Sequence, residues 1–456
     1  MRRLLFLFAL TTPALVTAQG PSPDAIVLNH VTVVDVTKSI ALDDMAVLIR
    51  ANRIAAVERA TAMRAPSGTR TLDLTGKFVI PGLVDMHNHL GPGAAMPGPP
   101  DRNGRETSRD GRGYLAQMLG LGFTSVFATS SPNLREHAEL RASRANDAAP
   151  FARYFGVGRG SSVAGGHASQ PRFGGYLPAS VDEARANMRE LQVAGVDGIK
   201  LTYSDQAHTG RPPLAVMEPA IMRAIVDEAH RLGLKAHVHA PTLRHAKEAL
   251  KAGVDGLVHS IADAPIDDEF IQLMRKNSAT YTTTLSLYTA FTDVTVWMQK
   301  LAAADVRHIV PNEVYERYRS ADGARTYHAL FGTFPAENLA HARANARRLL
   351  DAGVPVLAGT DTGVTGVLLG ISSQMELVLL TEAGFSSGEA LRAATMNPAR
   401  ALGREADLGT VEANKLADLV VLDANPLTNI RNIMKVHRVI KGGIVYDPDE
   451  LLAANR

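Results

Sequence analysis

The stretch Val79-Ile-Pro-Gly-Leu-Val-Asp-Met-His-Asn-His-Leu90 is an apolar run that ends in two histidines one residue apart. Side chains alternate across a β-strand, so His87 and His89 at the end of such a strand point to the same side. Neutral imidazole is the commonest protein ligand for zinc and similar ions. The pair therefore predicts a metal site at a strand end. The alternative is two surface histidines on a loop, and further ligands must decide between them.

Length, charge and composition narrow the class of protein. The chain has 456 residues, which is enough for a large core and more than one structural unit. Its formal net charge is +2, aromatic residues make up 5%, and no basic tract with interleaved aromatics occurs, so nucleic-acid binding is not supported. Because the chain has no cysteine, any metal must be bound by histidine, carboxylate or a modified side chain.

The first residues have the pattern of a secretory signal. Arg2 and Arg3 precede a short apolar run that reaches Val16, and small residues follow, with cleavage expected after Ala18. No other stretch approaches the roughly 20 apolar residues that span a bilayer. We therefore expect residues 1–18 to be a signal peptide, and the mature protein to be exported to a bacterial periplasm without membrane contact.

The two ends of the chain share a β-rich pattern. Short apolar or alternating runs, separated by Gly, Asn, Asp and Pro, extend from Ala25 to about Lys77 and return between 418 and 446. We expect residues 19–78 and 404–456 to build one small β-sandwich, with residues 79–403 as an inserted domain.

The middle of the chain alternates between helix and strand. An amphipathic helix pattern repeatedly ends at a glycine that a β-branched strand follows, at Gly195, Gly233, Gly253 and Gly353. Such alternation predicts a parallel sheet wrapped by helices. With further apolar runs near 79, 123, 151 and 280, about eight strands result. The predicted fold class is therefore α/β, a (β/α)8 TIM-like barrel with its chemistry at the C-terminal strand ends, carrying the small β-sandwich.

The predicted strand ends carry metal-binding types of side chain far more often than a generic barrel would. They are His87, His89, Lys200, His239, His259 and Asp361. The fifth strand is ambiguous, because His237 and His239 point to the same side. His239 is the preferred ligand, since its distance from Gly233 equals that of His259 from Gly253. His237 would then lie a layer deeper or line the site, and the reverse assignment stays open.

These motifs together resemble the amidohydrolase superfamily. The resemblance rests on His87-Asn-His89 after Pro-Gly-Leu-Val-Asp, on the ordered strand-end residues, and on Gly-Thr-Asp361-Thr-Gly. Asn397-Pro-Ala-Arg-Ala-Leu-Gly and Lys415-Leu-Ala-Asp-Leu-Val strengthen it. It covers essentially the whole mature chain, and within the superfamily the chain most resembles the imidazolonepropionase-like and prolidase-like branch of exported metallopeptidases.

The resemblance implies a centre of two divalent ions, most simply Zn²⁺. His87, His89 and Asp361 would hold the more buried ion, and His239 and His259 the second. Lys200 would be carboxylated and bridge them, because a protonated lysine has no lone pair whereas a carbamate offers two anionic oxygens. A salt-bridged lysine is the alternative for this position. Asp361 would take a proton from the bridging water and pass it to the leaving amine.

Substrate contacts are predicted for four residues. Tyr203 could donate its hydroxyl to a scissile carbonyl or a substrate carboxylate, and is the second catalytic candidate. Arg159 could pair with a carboxylate, His167 ends a Gly-Gly-His segment similar to one in this branch, and His237 lines the site. Other histidines, including His208, are predicted to lie on helix faces or in solvent.

Two connections are longer than barrel closure requires. They are residues 91–113, rich in Gly, Pro and Arg, and residues 285–337, which hold four of the ten tyrosines. Long excursions over an active face often form lids or substrate walls. Extra helical decoration is an equal alternative for the second.

The predicted function is hydrolysis of an amide or peptide C–N bond by an exported binuclear metallohydrolase, with a dipeptide, Xaa-Pro-like or N-acyl amino acid substrate. A mononuclear deaminase or cyclic-amide hydrolase is an alternative, against which Lys200 argues, since mononuclear members generally lack that lysine. Phosphotriester or lactone hydrolysis on the same core also stays open, because a fold does not fix function. An exported binding protein is disfavoured, since every expected ligand type is present. A homo-oligomer is left open.

Overall fold

The computed structural model describes residues 25–90, 111–130, 133–170, 173–303, 320–364 and 366–453. The predicted signal peptide, residues 1–18, lies outside these ranges, as does most of the 91–113 connection.

Strands from both ends of the chain form one eight-stranded, mostly antiparallel sheet. Labelled in chain order, its strands are β1 Ala25–Asp35, β2 Ile40–Arg50, β3 Arg53–Arg59, β4 Arg70–Asp73, β5 Phe78–Pro81, β14 Leu419–Leu422, β15 Val436–Lys441 and β16 Ile444–Tyr446. Their order is β16-β15-β14-β5-β1-β2-β3, and β4 pairs with β1. The prediction that the two ends fold together is confirmed.

This outer sheet curls until its edge strand β3 meets the segment that precedes β14. The Ile54 amide donates to the Lys415 carbonyl at 2.9 Å, and the Ala417 amide donates to the Asn52 carbonyl at 2.8 Å. The curl encloses an apolar core of its own, separate from that of the barrel. The predicted sandwich is therefore one continuous sheet folded over itself, because the long strands β1 and β2 carry register shifts that let it bend.

Within the described ranges, the middle of the chain supplies eight parallel strands. They are β6 Leu83–His89, β7 Phe123–Ser130, β8 Arg153–Gly156, β9 Ile199–Thr202, β10 Ala236–His239, β11 Gly256–Val258, β12 Thr280–Thr282 and β13 Val356–Leu357. They pair as a three-stranded sheet, β6-β7-β8, and a five-stranded sheet, β13-β12-β11-β10-β9. Backbone hydrogen bonds of 2.9 Å cross both seams, from Met86 N to Ala358 O and from Ser161 N to Lys200 O. The predicted barrel fold class is confirmed.

The chain passes from the outer sheet to the barrel at Gly82. The apolar pattern from Val79 to Met86 predicted one strand, whereas the structure divides it into β5 and β6. A Cβ atom at Gly82 would lie 2.0 Å from Thr124 Oγ1, so only glycine permits this close approach. The division leaves His87 and His89 at the end of the first barrel strand.

Helices pack around the barrel strands. In chain order, α1–α7 are Gly111–Gly120, Leu134–Ser143, Val181–Val193, Pro219–Arg231, Leu243–Lys251, Asp268–Lys276 and Leu285–Thr292. Helices α8–α14 are Val294–Ala302, Ala321–Phe331, Ala336–Asp351, Ile371–Glu382, Ser387–Ala393, Met396–Ala401 and Pro448–Ala453, and short 3-10 helices span Ala207–Thr209 and Ile430–Met434. The four predicted helix-ending glycines all have positive φ, as left-handed C-caps require. Among the described residues, no helix has the length and apolar character to cross a membrane.

A buried ion pair joins the barrel to the outer sheet. Arg153 on β8 bonds through Nε to Asp418 Oδ2 at 2.7 Å, and the two side chains are only 5% and 1% exposed. Arg153 Nη2 also lies 2.6 Å from Asp147 Oδ1. Lys441 Nζ donates to the carbonyls of the same loop, including that of Ala149 at 3.0 Å.

Replacing Arg153 with alanine should lower the free energy of unfolding by about 3–5 kcal/mol, because Asp418 would stay buried without its charged partner. Urea denaturation measures the change. Arg135→Ala is the control: Arg135 pairs with Glu139 on the surface and is 87% exposed, so its loss should leave stability nearly unchanged. A loss below about 1 kcal/mol for Arg153→Ala would contradict a supporting role for the pair.

Candidate metal centre

The two histidines that end the first barrel strand both contact one carboxylate. His87 Nε2 lies 2.9 Å, and His89 Nε2 2.8 Å, from Asp361 Oδ1. Asp361 follows β13, and its amide donates to the His87 carbonyl at 2.8 Å, beside the Thr360 amide at 3.1 Å. The structure thus brings the first and last predicted ligands together across the seam of the barrel.

His259 completes a group that fits a divalent cation. Single ligand atoms of His87, His259 and Asp361 all lie within 4.8 Å of one another, and all three residues are buried. Burial lowers the pKa of His87 to about 3 and that of His259 well below its ordinary value, so both imidazoles are neutral and keep a lone pair. Two neutral imidazoles and a carboxylate are a suitable donor set for Zn²⁺.

The Asp361 carboxylate is anionic despite its burial. Burial by itself raises the pKa of this group, but the surrounding imidazoles of His259, His87 and His89 outweigh burial and hold the pKa well below the ordinary value. The group therefore carries a negative charge beside the neutral imidazoles of His87 and His259. Such a charge at the centre of an imidazole cluster favours a bound cation.

Two of these residues have strained backbones. His259 has φ 73° and Asp361 has φ 63°, the left-handed region that non-glycine residues rarely adopt. Each such backbone conformation lowers the stability of the fold by on the order of 1–3 kcal/mol, and residues with strained backbones are concentrated at functional sites. Both residues lie just past the end of a strand. Their left-handed backbones interrupt the regular alternation of side chains along the strand, so the direction of each side chain no longer follows that alternation.

The second predicted half of the centre lies next to the first. The His239 ring centroid is 4.4 Å from that of His259, and the His167 ring stacks on His239 at 4.6 Å. Lys200 on the neighbouring strand β9 is 7% exposed. Burial lowers the pKa of Lys200 to about 8. Near neutral pH a larger share of this amine is therefore unprotonated, which is the form that can bond to CO₂ and lose a proton to give a carbamate.

His237 occupies a deeper position than His239. Its ring packs against Phe127 at 5.2 Å, and a Cβ atom at Gly256 would lie 2.6 Å from His237 Nδ1. The glycine therefore makes room for the ring on the adjacent strand. Because His239, and not His237, has ring contacts with His167 and His259, the geometry favours His239 as the fifth-strand ligand.

Two other predicted substrate residues, Tyr203 and Arg159, each contact a neighbouring side chain. The Tyr203 hydroxyl donates to Glu248 Oε2 at 2.7 Å, and burial raises its pKa above the ordinary value. Its ring packs against His245 on α5 at 5.4 Å, so the phenol is directed to this helix and not to the histidine cluster. The Arg159 guanidinium lies over the Tyr176 ring at 5.4 Å.

Asp85 holds the metal-binding strands in place, a role that sequence reasoning did not assign. Its carboxylate accepts hydrogen bonds from the His87 amide at 2.9 Å, the Thr360 hydroxyl at 2.8 Å and the Ser373 hydroxyl at 2.6 Å. Burial raises its pKa to about 6, against the effect of these donors. An acidic residue inside an otherwise apolar strand was the available signal.

Glu376 plays a similar part for His259. This buried carboxyl on α11 accepts hydrogen bonds of 2.7–2.8 Å from the Thr283 hydroxyl, from the Leu285 amide and from both the amide and the hydroxyl of Ser286. It thereby anchors the start of α7, where Thr284 Oγ1 meets His259 Nδ1 at 3.0 Å. Burial raises the pKa of Glu376 to about 7.

His208 lies in a helix, one of the two predicted alternatives, but its side chain is buried. It lies in the 3-10 helix after β9, is 9% exposed and packs on Phe334 at 5.6 Å. Its carbonyl accepts from Asn338 Nδ2 at 2.7 Å. The loop that carries it also brings the Gln206 amide to His239 Nε2 at 2.6 Å, a contact that no sequence pattern indicated.

The described parts of the 285–337 connection pack against this end of the barrel. The Tyr288 hydroxyl donates to the carbonyl of Ser260, the residue after His259, at 2.7 Å. The Phe291 ring is 4.8 Å from Phe334, whose ring also contacts His208. The described part of the connection therefore places aromatic side chains next to His208 and next to the residue that follows His259.

A family model described as the amidohydrolase family matches residues 78–445. The chain belongs to this family. The predicted resemblance to amidohydrolases is confirmed, and with it the prediction of a hydrolytic enzyme that acts on C–N bonds.

Similar proteins agree with this assignment. The amidohydrolase is 24% identical to the imidazolonepropionase of Shouchella clausii (strain KSM-K16), over 83% of this chain and 80% of the relative. It is 23% identical to an N-substituted formamide deformylase of Arthrobacter pascens, over 93% of this chain and 98% of the relative. A Xaa-Pro dipeptidase structure superposes with a TM-score of 0.72 at 24% identity, over 92% of this chain and 99% of that one. The fold thus extends over nearly the whole chain.

Proposed function

We propose that this amidohydrolase is an exported binuclear metallohydrolase that cleaves the amide C–N bond of a dipeptide, a Xaa-Pro-like peptide or an N-acyl amino acid. The observation that carries the proposal is the convergence of His87, His89 and His259 on Asp361, with Lys200 buried on a nearby strand. The similarity to a formamide deformylase and to a Xaa-Pro dipeptidase supports an amide-type substrate.

Two divalent ions, with Zn²⁺ as the first choice, would be held by the strand-end residues. His87, His89 and Asp361 would bind one ion, the histidines of strands β10 and β11 the other, and Lys200 as its carbamate would bind both. Ions bound there would lower the pKa of a coordinated water, so that hydroxide is available near neutral pH. The buried, neutral state of the imidazoles supports this assignment, since a protonated ring has no lone pair to offer.

Asp361 is the proposed proton carrier. Its carboxylate is anionic, lies at the centre of the cluster and can accept a proton from the attacking water, then donate it to the leaving amine. His167 and Arg159 are the proposed substrate contacts, with His237 lining the deeper part. Tyr203 is not retained as a catalytic or substrate residue, because its hydroxyl is bound to Glu248.

A substrate panel together with a metal count tests the function. The purified full chain, supplied with zinc or manganese and bicarbonate, should contain about two ions and hydrolyse members of a set of dipeptides, Xaa-Pro peptides and N-acyl amino acids. Mass spectrometry of the metals and detection of the released amine are the measurements. The panel should include apolar acyl groups, because Phe334 and Phe291 pack next to His208 in the loop that also carries Gln206.

Two results would favour the other reactions. About one ion per chain with deamination or ring opening of a heterocycle would indicate the mononuclear alternative. Two ions with phosphotriester or lactone hydrolysis, and no amide cleavage, would indicate the third reaction class on the same core.

A further inference from the structure

Gln206 is an unusual residue in the loop that follows β9. Its backbone has φ 60° and ψ 15°, the left-handed conformation that also occurs at His259 and Asp361, and it is only 9% exposed. A buried polar side chain on a strained backbone, in contact with a candidate metal ligand, is the kind of local exception that indicates a function.

The Gln206 side chain meets the outer nitrogen of His239. Its amide group lies 2.6 Å from His239 Nε2 and 3.4 Å from Ser204 Oγ. A half-turn of the amide exchanges its oxygen and nitrogen without moving the rest of the side chain. With Oε1 in this place, it accepts the Nε2 proton of His239 and the Ser204 hydroxyl proton together. The Ser204 oxygen already accepts a hydrogen bond from the backbone N–H of Gln206 at 3.1 Å, so the Ser204 hydroxyl proton can be donated to the Gln206 side chain.

The surrounding loop holds Gln206 in position. Asp205 accepts a hydrogen bond from the Ala207 amide at 3.0 Å, and its carbonyl accepts from the Leu214 amide at 2.8 Å. Arg244 on α5 bonds to the other Asp205 oxygen at 3.2 Å. The side chain therefore approaches His239 from a fixed point, as an orienting partner of a metal ligand must.

We propose that Gln206 is a positioning residue that accepts the Nε2 proton of His239 and thereby directs the Nδ1 lone pair of this histidine to the second metal ion. A neutral imidazole has one N–H and one lone pair, so the partner of one nitrogen decides what the other can do. His259 has the opposite arrangement, because its Nδ1 meets Thr284 Oγ1 at 3.0 Å and Nε2 is left for the cluster. The inference rests on the proposed function only in that His239 holds an ion, and it does not depend on the substrate.

Zinc titration of the metal-free full chain tests this role through affinity, separately from activity. Gln206→Leu removes the hydrogen-bond acceptor. Gln206→Gly also removes it, and in addition relieves the strain of the left-handed backbone conformation. Both should weaken the weaker of the two zinc sites by about 10- to 100-fold and leave the tighter site unchanged. Gln206→Glu keeps an acceptor and should bind both ions at least as tightly as the natural protein. Gln299→Leu, on the exposed surface of α8, is the control and should change neither site.

The outcomes separate this inference from the function on which it rests. Two zinc ions bound by Gln206→Leu and Gln206→Gly with natural affinity would overturn the role of Gln206 alone. Equal losses in Gln206→Glu and Gln206→Leu would also overturn it, since the acceptor would not matter. A natural protein that binds one ion would overturn both this inference and the binuclear proposal.

Discussion

Replacing Asp361 with asparagine should lower kcat/KM by about 10²- to 10⁴-fold, which is the contribution that a positioned proton carrier makes. Asparagine keeps the shape of the side chain but has no negative charge and cannot accept the proton of the attacking water. The charge matters here because His87 Nε2 and His89 Nε2 both lie within 2.9 Å of Asp361 Oδ1. Steady-state kinetics on the best amide substrate, at saturating zinc, measures the loss.

A matched variant and a metal count sharpen this test. Asp263 Oδ1 accepts a hydrogen bond from the Leu243 amide at 2.8 Å near the same end of the barrel, so Asp263→Asn makes the same chemical change away from the cluster. It should retain nearly full activity. Metal analysis of Asp361→Asn separates loss of an ion from loss of proton transfer alone. More than one-tenth of natural activity in Asp361→Asn would contradict the assigned role.

Replacing Lys200 with alanine should reduce the metal content from about two ions to about one. Activity should fall by more than the roughly 10- to 100-fold that is typical when a residue that hydrogen-bonds to a metal ligand is removed. The larger loss is expected because Lys200→Ala removes an anionic group that would bind both ions directly. A short carboxylate such as acetate should restore part of the activity, since it can enter the space of the missing side chain and supply two oxygens. Metal analysis and kinetics with and without acetate are the measurements.

The control for this second variant is another lysine of the barrel. Lys235 precedes β10, is exposed, and donates to the Ala401 carbonyl at 2.8 Å, so Lys235→Ala should keep both ions and full activity. Two ions in Lys200→Ala would show that the lysine does not bridge. The natural protein should also lose activity when it is refolded or reloaded with metal in the absence of CO₂ and bicarbonate.

Much of the fold was predictable because the signals are local. Helix patterns that end at Gly195, Gly233, Gly253 and Gly353 indicated a parallel barrel, and all four glycines have the left-handed backbone that this role requires. The division at Gly82 was not predictable, because the close approach of Thr124 that demands a glycine involves a strand far along the chain.

The candidate site was predictable for residues at strand ends and not for those that support them. His87, His89, His259 and Asp361 could be proposed because parallel strands end at one mouth of a barrel. Glu376 and Gln206 could not, since each reaches the site from a helix or a loop and acts through another residue. Tyr203 was placed near the substrate by its distance from Lys200, yet its ring is directed to α5.

From its sequence alone, this protein could be assigned a barrel class, a family and an ordered set of side chains able to bind metal, because periodicity and motif order are properties of the chain itself. The tertiary structure decided which nitrogen, oxygen and backbone conformation each of those side chains presents. His259 and Asp361 adopt left-handed backbones, and Gln206 contacts His239, only because packing between distant segments compensates the local strain. No local pattern carries that information.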